Sequence, residues 1–263
     1  VITIGFRFDG IHSDELGLNV QAIQDPILPP TRDYEVQVPG MDGAYDFGCD
    51  FDKRPITVRL CYKEESRQNI RLLSRRIAAW INPKKGQRTL VLDDEPEKQY
   101  KARILGTIDA EYLLNPYMEL PLTFVAFDPF AIMSYDVILE SDVLLNSDIR
   151  LDGDEYKFSV DPITGPMSRT IVNPGTYPIN PIIRIGGTFT ELRLSTNMKT
   201  LICRGEGNLE IDCQKMTATK DGQNAINLID GDFLALEPGE NAITVDGNGL
   251  NCSIVFYFAG KFL

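Results

Sequence analysis

Histidine and tryptophan are almost missing from this 263-residue chain: each occurs once, as His12 and Trp80. A zinc centre needs thiolates and imidazoles at clustered spacing, and His12 is far in sequence from every cysteine. The cysteines, Cys49, Cys61, Cys203, Cys213 and Cys252, are odd in number, widely spaced and without a C-x-x-C pair, which fits synthesis in a reducing compartment and buried, inert thiols. No stretch approaches the roughly 20 apolar residues of a membrane helix, so a soluble protein is expected. Residues 1–8 alternate apolar and polar side chains and lack the basic-then-apolar layout of a secretory signal. Positive charge is also scarce, with 26 Lys and Arg against 38 Asp and Glu for a net charge of −12. About a third of that excess lies in residues 1–135, so both halves are acidic. Binding to nucleic acid rests on cations that displace counterions from phosphates, so this balance argues against a dedicated DNA or RNA binder. No repeat of fixed period is visible.

What is present is mostly strand. Ile56-Thr57-Val58-Arg59-Leu60-Cys61-Tyr62 alternates cleanly, placing Ile56, Val58, Leu60 and Tyr62 on one face. Residues 89–92, 100–105 and 118–126 read as further strands, the last with Met118, Leu120, Leu122, Phe124 and Ala126 on one side. One segment changes period. Over 66–81, Ile70, Leu73, Ile77, Trp80 and Ile81 follow helical spacing while Arg67, Arg71 and Arg75 line another face. Ser66 is the expected N-cap, and Asn82-Pro83 ends the helix because proline disfavours the helical conformation in the residue before it. The arginine stripe reads as a solvated face or a partner for Glu64 and Glu65. After Asp128-Pro129-Phe130 the texture shifts, and 136–170 reads as a connecting segment. Within it, Asp152-Gly153 between strand-like residues 143–151 and 156–160 signals a β-hairpin. From 171 to 263, short strands are punctuated by Asn173-Pro174-Gly175, Gly186-Gly187, Gly205-Glu206-Gly207, Asp221-Gly222, Pro238-Gly239 and Asp246-Gly247, which predicts an antiparallel sandwich. Pro238-Gly239 is expected to join residues 232–236 and 241–245 as a type II turn, and residues 253–258 supply a last apolar strand.

Each candidate for chemistry has a plainer structural reading. Asp93, Asp94, Glu95 and Glu97 are the densest carboxylates, but at a proline-containing turn they fan outward, whereas a glycosidase needs two carboxylates facing across a cleft. Asp246-Gly247-Asn248-Gly249 and Asp152-Gly153-Asp154 lack the glycine and glutamate positions of a calcium loop and read as turns. His12 has no nucleophile motif such as G-x-S-x-G to serve, and reads as a surface or interface histidine. No catalytic, cofactor-binding or metal-binding residue is therefore assigned, no cofactor is expected, and the chain is not expected to be an enzyme.

The first half strings together Phe8-Asp9-Gly10, Ser13-x-x-Leu16-Gly17-Leu18, Pro29-Pro30-x-Arg32, Val38-Pro39-Gly40-Met41-Asp42-Gly43 and Tyr45-Asp46-Phe47-Gly48. Trp80-Ile81-Asn82-Pro83, Asp93-Asp94-Glu95-Pro96, Tyr100-x-Ala102 and Asp128-Pro129-Phe130 follow in order. In content and order these resemble the siphophage distal tail protein (Dit) family. The second half resembles that family's galectin-like C-terminal domain through Val172-Asn173-x-Gly175-Thr176, Pro181-Ile182-Ile183 and Pro238-Gly239-x-Asn241. The resemblance implies a mainly β protein: an N-terminal β-sandwich-type domain with one α-helix over 1–135, and a galectin-like antiparallel β-sandwich over 171–263. It also implies a homo-oligomer, a hexameric ring at the distal end of the tail, made in the host bacterial cytoplasm and carried in the virion. Its partners would be the tail tube protein and a tail-associated hub, fibre or lysin, with DNA passing through unbound and no membrane contact. From the residues themselves, the proline- and glycine-rich arm from Pro29 to Gly48 is stiff and turn-rich, which suits contact with a neighbouring subunit. Two readings of different class stand side by side: a structural ring protein, and a carbohydrate-binding module for host-surface attachment. For the latter, the second half has neither tryptophan nor histidine and offers Tyr177 and Tyr257 as platforms for a sugar ring. Chelators should leave the protein folded with an unchanged melting temperature; a stoichiometric metal whose removal lowers that temperature would contradict this reading.

Overall fold

The computed structural model describes residues 4–63, 67–108, 111–112, 117–133, 155–157, 162–196, 198–205 and 207–263. It is mainly β and divides into two compact units, Val1–Ser134 and Tyr135–Phe262. In the first unit an antiparallel sheet runs in the order Ile11–His12, Phe6–Phe8, Arg88–Leu92, Lys98–Ile104, Tyr117–Ala126, Arg54–Lys63 and Asn19–Gln24. At its centre the two strands expected from alternation pair with each other. Ile56, Val58 and Leu60 stand opposite Phe124, Leu122 and Leu120, and all of them are buried. Tyr62, at the end of that row, is only half-buried.

The helix, Arg67–Trp80, buries Ile70, Leu73, Ile77 and Trp80 in this unit's core and leaves Arg71 and Arg75 exposed. The lone tryptophan does most of the joining. Its ring stacks on Phe6 at 5.8 Å and meets Phe8 edge-on at 5.9 Å, while its Nε1–H donates to the Phe8 carbonyl at 2.9 Å. Phe6 and Phe8 also reach Phe124, at 5.5 and 4.8 Å. An indole needs a partner for its N–H when buried, and a strand carbonyl supplies it here. The expected cap, Ser66, lies outside the described residues. At the other end the Ile81 N–H still reaches the Ile77 carbonyl at 2.9 Å, and Asn82 leaves the helical conformation with ψ 113°. Asn82 Oδ1 then accepts from the Lys84 N–H at 3.0 Å and opens the short 3-10 turn Pro83–Lys85.

The second unit is a sandwich of two antiparallel sheets. One runs Glu155–Lys157, Asn251–Tyr257, Ile182–Thr188, Leu209–Asp212, Thr217–Lys220, Gln223–Asn224. The other runs Met167–Asn173, Gly239–Asn248, Glu191–Ser195, Thr200–Arg204, Ile229–Gly231. Alternate residues point inward: Ile183, Ile185, Ile211, Ile254 and Phe256 from the first sheet meet Leu192, Leu194, Leu201, Ile243 and Val245 from the second in one buried cluster.

Several turn assignments change. Gly186-Gly187 and Asp246-Gly247 lie inside strands, because a side chain at Gly187 would collide with the Asn251 carbonyl and one at Gly247 with the Glu191 carbonyl. Both glycines permit close backbone approach between neighbouring strands. Residues 232–236 do not pair with 241–245. The strand Gly239–Asn248 pairs instead with Met167–Asn173 and Glu191–Ser195, and Leu236 bridges to Ile179. The bend itself is real, closed by the Asn241 side chain, which accepts from the Glu237 N–H at 2.8 Å and donates to the Glu237 and Gly239 carbonyls at 2.7 and 2.9 Å, but both edges of the second arm are taken by those two strands. The Asp152-Gly153 hairpin lies outside the described residues. Nearby, Glu155–Lys157 pairs with the strand Asn251–Tyr257, and Met167–Asn173 is already in its sheet before Ile171.

Replacing Ile77 with Asp sets an unpaired carboxylate against the first core and should destabilise that unit by about 4 kcal/mol or more. In calorimetry of the full chain, one transition should move down and the other stay; a uniform shift of a single transition would show that the two units do not melt independently.

Candidate functional site: a projecting β-ribbon

Between Gln24 and Arg54 the chain leaves the sheet and makes a ribbon of its own. Thr31–Val36 and Tyr45–Phe51 pair only with each other, Thr31 opposite Phe51 and Val36 opposite Tyr45. The register slips between Asp33 and Glu35, where Gly48 takes a left-handed φ of 92° and donates its N–H to Asp46 Oδ1 at 2.8 Å. Such a bulge bends and twists a ribbon. Every residue from Thr31 to Asp50 is exposed, apolar ones included: Tyr45 by 55% and Phe47 by 68%, with Tyr34, Val36 and Val38 beside them and Ile27 at 92% near the root. From Thr31 to Asp50 no face of this ribbon is buried.

The root, by contrast, is tied by buried polar groups. Arg54, only 2% exposed, donates through Nη1 to Asp25 at 3.3 Å and to the Tyr100 hydroxyl at 3.0 Å, and that hydroxyl donates to the other Asp25 oxygen at 3.3 Å. Asp25 precedes the ribbon, Arg54 follows it, and Tyr100 belongs to the sheet. The triangle therefore pins both ends of the excursion to one point. The Asp52 N–H to Pro30 carbonyl bond at 2.7 Å and the edge-on contact of Phe51 with Phe130 at 6.0 Å continue the anchoring upward. Burial is the largest influence on Asp25 and raises its pKa, opposed by Arg54 and by the Tyr100 hydrogen bond. Burial, with the Asp25 charge, pushes Tyr100 up to about 12. Arg54 Nε and Nη2 are buried without hydrogen-bond partners, so the clamp is incompletely satisfied. Neither Asp25 nor Arg54 lies in a recognisable motif; the one signal is that Arg54 shares the inward parity of Ile56, Val58 and Leu60.

The residues weighed for chemistry fall elsewhere. His12 caps the 3-10 helix Ser13–Leu16, its Nδ1 accepting from the Asp14 N–H at 3.2 Å, and its Nε2 lies 3.0 Å from Asp93. A histidine–aspartate pair is two-thirds of a triad, but the buried Ser13 hydroxyl beside it bonds to neither. Asp93, Asp94, Glu95 and Glu97 form a turn, and Glu95 pairs with Lys98 at 2.6 Å. Cys203, Cys213 and Cys252 are buried, and burial pushes the Cys203 and Cys213 thiols up to about 12 and about 11, away from reactive thiolate. Cys49 is exposed on the ribbon. Among the described residues no group of three or more His, Cys, Asp or Glu could hold a metal. Tyr257 sits under the Arg184 guanidinium at 4.5 Å from its ring centre.

Two family models match the sequence: a phage tail protein RIFT-related domain over residues 12–126, and the C-terminal domain of a siphovirus-type tail component over residues 174–259. No curated protein matches. Among solved structures, the crystal structure of the phage SPP1 Dit protein superimposes with a TM-score of 0.71 at 18% identity, covering 99% of each chain, which shows a shared fold. Chains of the activated phage p2 baseplate, with Ca and with Sr, align at TM-scores of 0.43 and 0.42 and identities of 10% and 11%, covering at least 99% of each chain. That likeness is too slight to carry an argument.

Truncating Arg54 to Ala should cost the first unit about 3 kcal/mol, through a cavity and the loss of the clamp. Arg54→Met keeps the volume, removes a buried charge whose Nε and Nη2 have no partner among the described residues, and should recover most of that loss. Both variants should raise amide exchange over residues 31–51; unchanged exchange in Arg54→Met would show that packing alone orients the ribbon. Because its folded pKa is raised, Asp25 favours folding fully below its ordinary 3.8 and loses that contribution as pH rises through the raised value. Urea denaturation should therefore show the parent losing ground to Asp25→Asn across that window.

Proposed function

This chain belongs to the siphophage distal tail protein family, and from that premise we propose that it closes into a ring at the end of the tail tube through its first unit. It is a structural component of a phage tail. The observation that carries the ring reading is the ribbon from Thr31 to Asp50, whose apolar side chains are all exposed. An isolated two-stranded ribbon is marginally stable in water. One that is clamped at its root and apolar at its tip is built to complete itself against another surface. If that surface is a different patch on an identical subunit, the contact is head-to-tail, and a rotation that divides a full turn closes it into a ring. Stiffening by Pro29, Pro30 and Pro39 lowers the ordering cost of that contact. Six subunits is the number the family resemblance implies.

In this reading the first unit forms the ring and the second forms a galectin-like sandwich that faces other tail proteins; the strands Glu155–Lys157 and Met167–Asn173 belong to that sandwich, so 136–170 is not merely the connecting segment expected from the sequence. The tail tube protein would sit above and a hub, fibre or lysin below, at the distal end of a virion assembled from protein made in the host cytoplasm. The SPP1 Dit protein is described as a paradigm of the hub adsorption apparatus in phages that infect Gram-positive bacteria, and the same role is proposed here. The work is mechanical rather than catalytic. With a net charge of −12, the chain offers DNA passing through the ring an acidic or neutral wall with few phosphate anchors, so passage needs no specific binding. No membrane contact is invoked.

Native mass spectrometry of the full-length protein at micromolar concentration should show closed hexamers. Tyr45→Asp combined with Phe47→Asp should abolish them and leave the monomer's far-ultraviolet circular dichroism unchanged, since substitutions at exposed positions cost about 0.5 kcal/mol or less each. A parent protein that stays monomeric even with tube or hub protein added would refute ring assembly; hexamers that survive the double substitution would place the interface elsewhere.

A further inference from the structure

The outward face of the second unit's six-stranded sheet is not flat. A cavity of about 440 Å³ opens there, with Arg184, Glu210, Asn208, Ser253, Val255 and Tyr257 in its walls. Strand parity sends Ile183, Ile185, Ile211, Ile254 and Phe256 to the core, and therefore sends Arg184, Glu210, Ser253, Val255 and Tyr257 outward. The register sets Val255, Arg184 and Glu210 side by side across three strands, with Ser253 opposite Gly186 in the next row. Gly186 makes the floor. A Cβ there would point between Asn208 Oδ1 and Ser253 Oγ, 3.4 Å from each, so the missing side chain is what leaves the space.

We propose that this cavity binds a neutral saccharide. Its volume lies within the roughly 300–1,000 Å³ of small-ligand sites. Its charges answer each other: Arg184 Nε donates to Glu210 at 2.7 Å, and the guanidinium also covers the Tyr257 ring at 4.5 Å. A ligand therefore meets no uncompensated cation, and Asp221, the other charged residue on the lining, adds a negative charge that disfavours phosphates and acidic sugars. What remains is a guanidinium beside a carboxylate, with an amide at Asn208 and a hydroxyl at Ser253. That set donates and accepts at short range, as neighbouring sugar hydroxyls require. Val255 and the Tyr257 ring edge supply apolar surface for the C–H face of a pyranose.

The test uses the full-length protein and a panel of neutral mono- and disaccharides, followed by two-dimensional amide NMR, with an acidic sugar, inorganic phosphate and a short oligolysine as contrasts. At least one neutral saccharide should give saturable millimolar shifts centred on Gly186, Asn208, Glu210 and Tyr257. Gly186→Val fills the floor without backbone strain, and Asn208→Ala removes one exposed amide; each should weaken binding by about tenfold or more, roughly 1.4 kcal/mol, with an unchanged melting temperature. If Gly186→Val fails to fold, Asn208→Ala alone decides. Absence of saturable shifts with every neutral saccharide overturns the proposal. So does binding indifferent to a folded Gly186→Val and to Asn208→Ala, and so does binding of oligolysine or phosphate alone.

Discussion

A two-stranded ribbon has no core, so its direction in space is set by whatever holds its two ends. In this chain a buried guanidinium holds the root, with the Asp52–Pro30 backbone bond and the Phe51–Phe130 contact beside it. Arg54 reaches back over the whole excursion to Asp25 and sideways to Tyr100, and the 20 to 30 residues between are free to carry apolar side chains into water because their root is not. The arrangement is electrostatically expensive. Two of the guanidinium nitrogens lack partners and the Asp25 pKa rises instead of falling, as it would if the ion pair were strongly favourable. Buried ion pairs often add little stability compared with apolar groups of the same volume. Holding a projecting element in a single orientation is a role that apolar packing, which is non-directional, fills less well.

The motifs that carry the family resemblance share a character. Several of them turn out to be joints. Trp80 links the helix to the first strand through a ring stack and a hydrogen bond, and Asn82 restarts the chain after the helix. Tyr100 belongs to the clamp. Asn173, almost wholly buried, donates to the Tyr177 and Leu236 carbonyls at 3.0 and 3.1 Å and accepts from the Gly175 N–H at 2.9 Å. Asn241 closes the bend at Glu237 in the same manner. Each satisfies backbone groups that a sheet ladder leaves over, which is a requirement of folding rather than of reaction chemistry. A protein whose most distinctive residues are joints is consistent with a structural component of a tail.

The helix and the central strands of the first unit could be read from periodicity alone, since alternation at Ile56 to Leu60 and helical spacing from Ile70 to Trp80 state which faces must be buried whatever they meet. The same holds for the scarcity of phosphate-binding cations; of the five thiols expected to be buried, Cys203, Cys213 and Cys252 are, whereas Cys49 is exposed on the ribbon and Cys61 is half-buried. Partnering could not be read this way. Gly186-Gly187 and Asp246-Gly247 looked like turns because glycine serves both turns and close backbone approach, and only the neighbouring strand decides between them. The supposed hairpin at Pro238-Gly239 failed for a like reason: the bend is real, but its second arm pairs with a strand some seventy residues earlier. Asp25, Arg54 and Tyr100 come from three separate stretches and meet only when the sheet is assembled, as do Arg184, Glu210 and Tyr257. Local pattern determines which residues must leave water; which of them then touch depends on strand order, and strand order is settled by the packing of the whole unit.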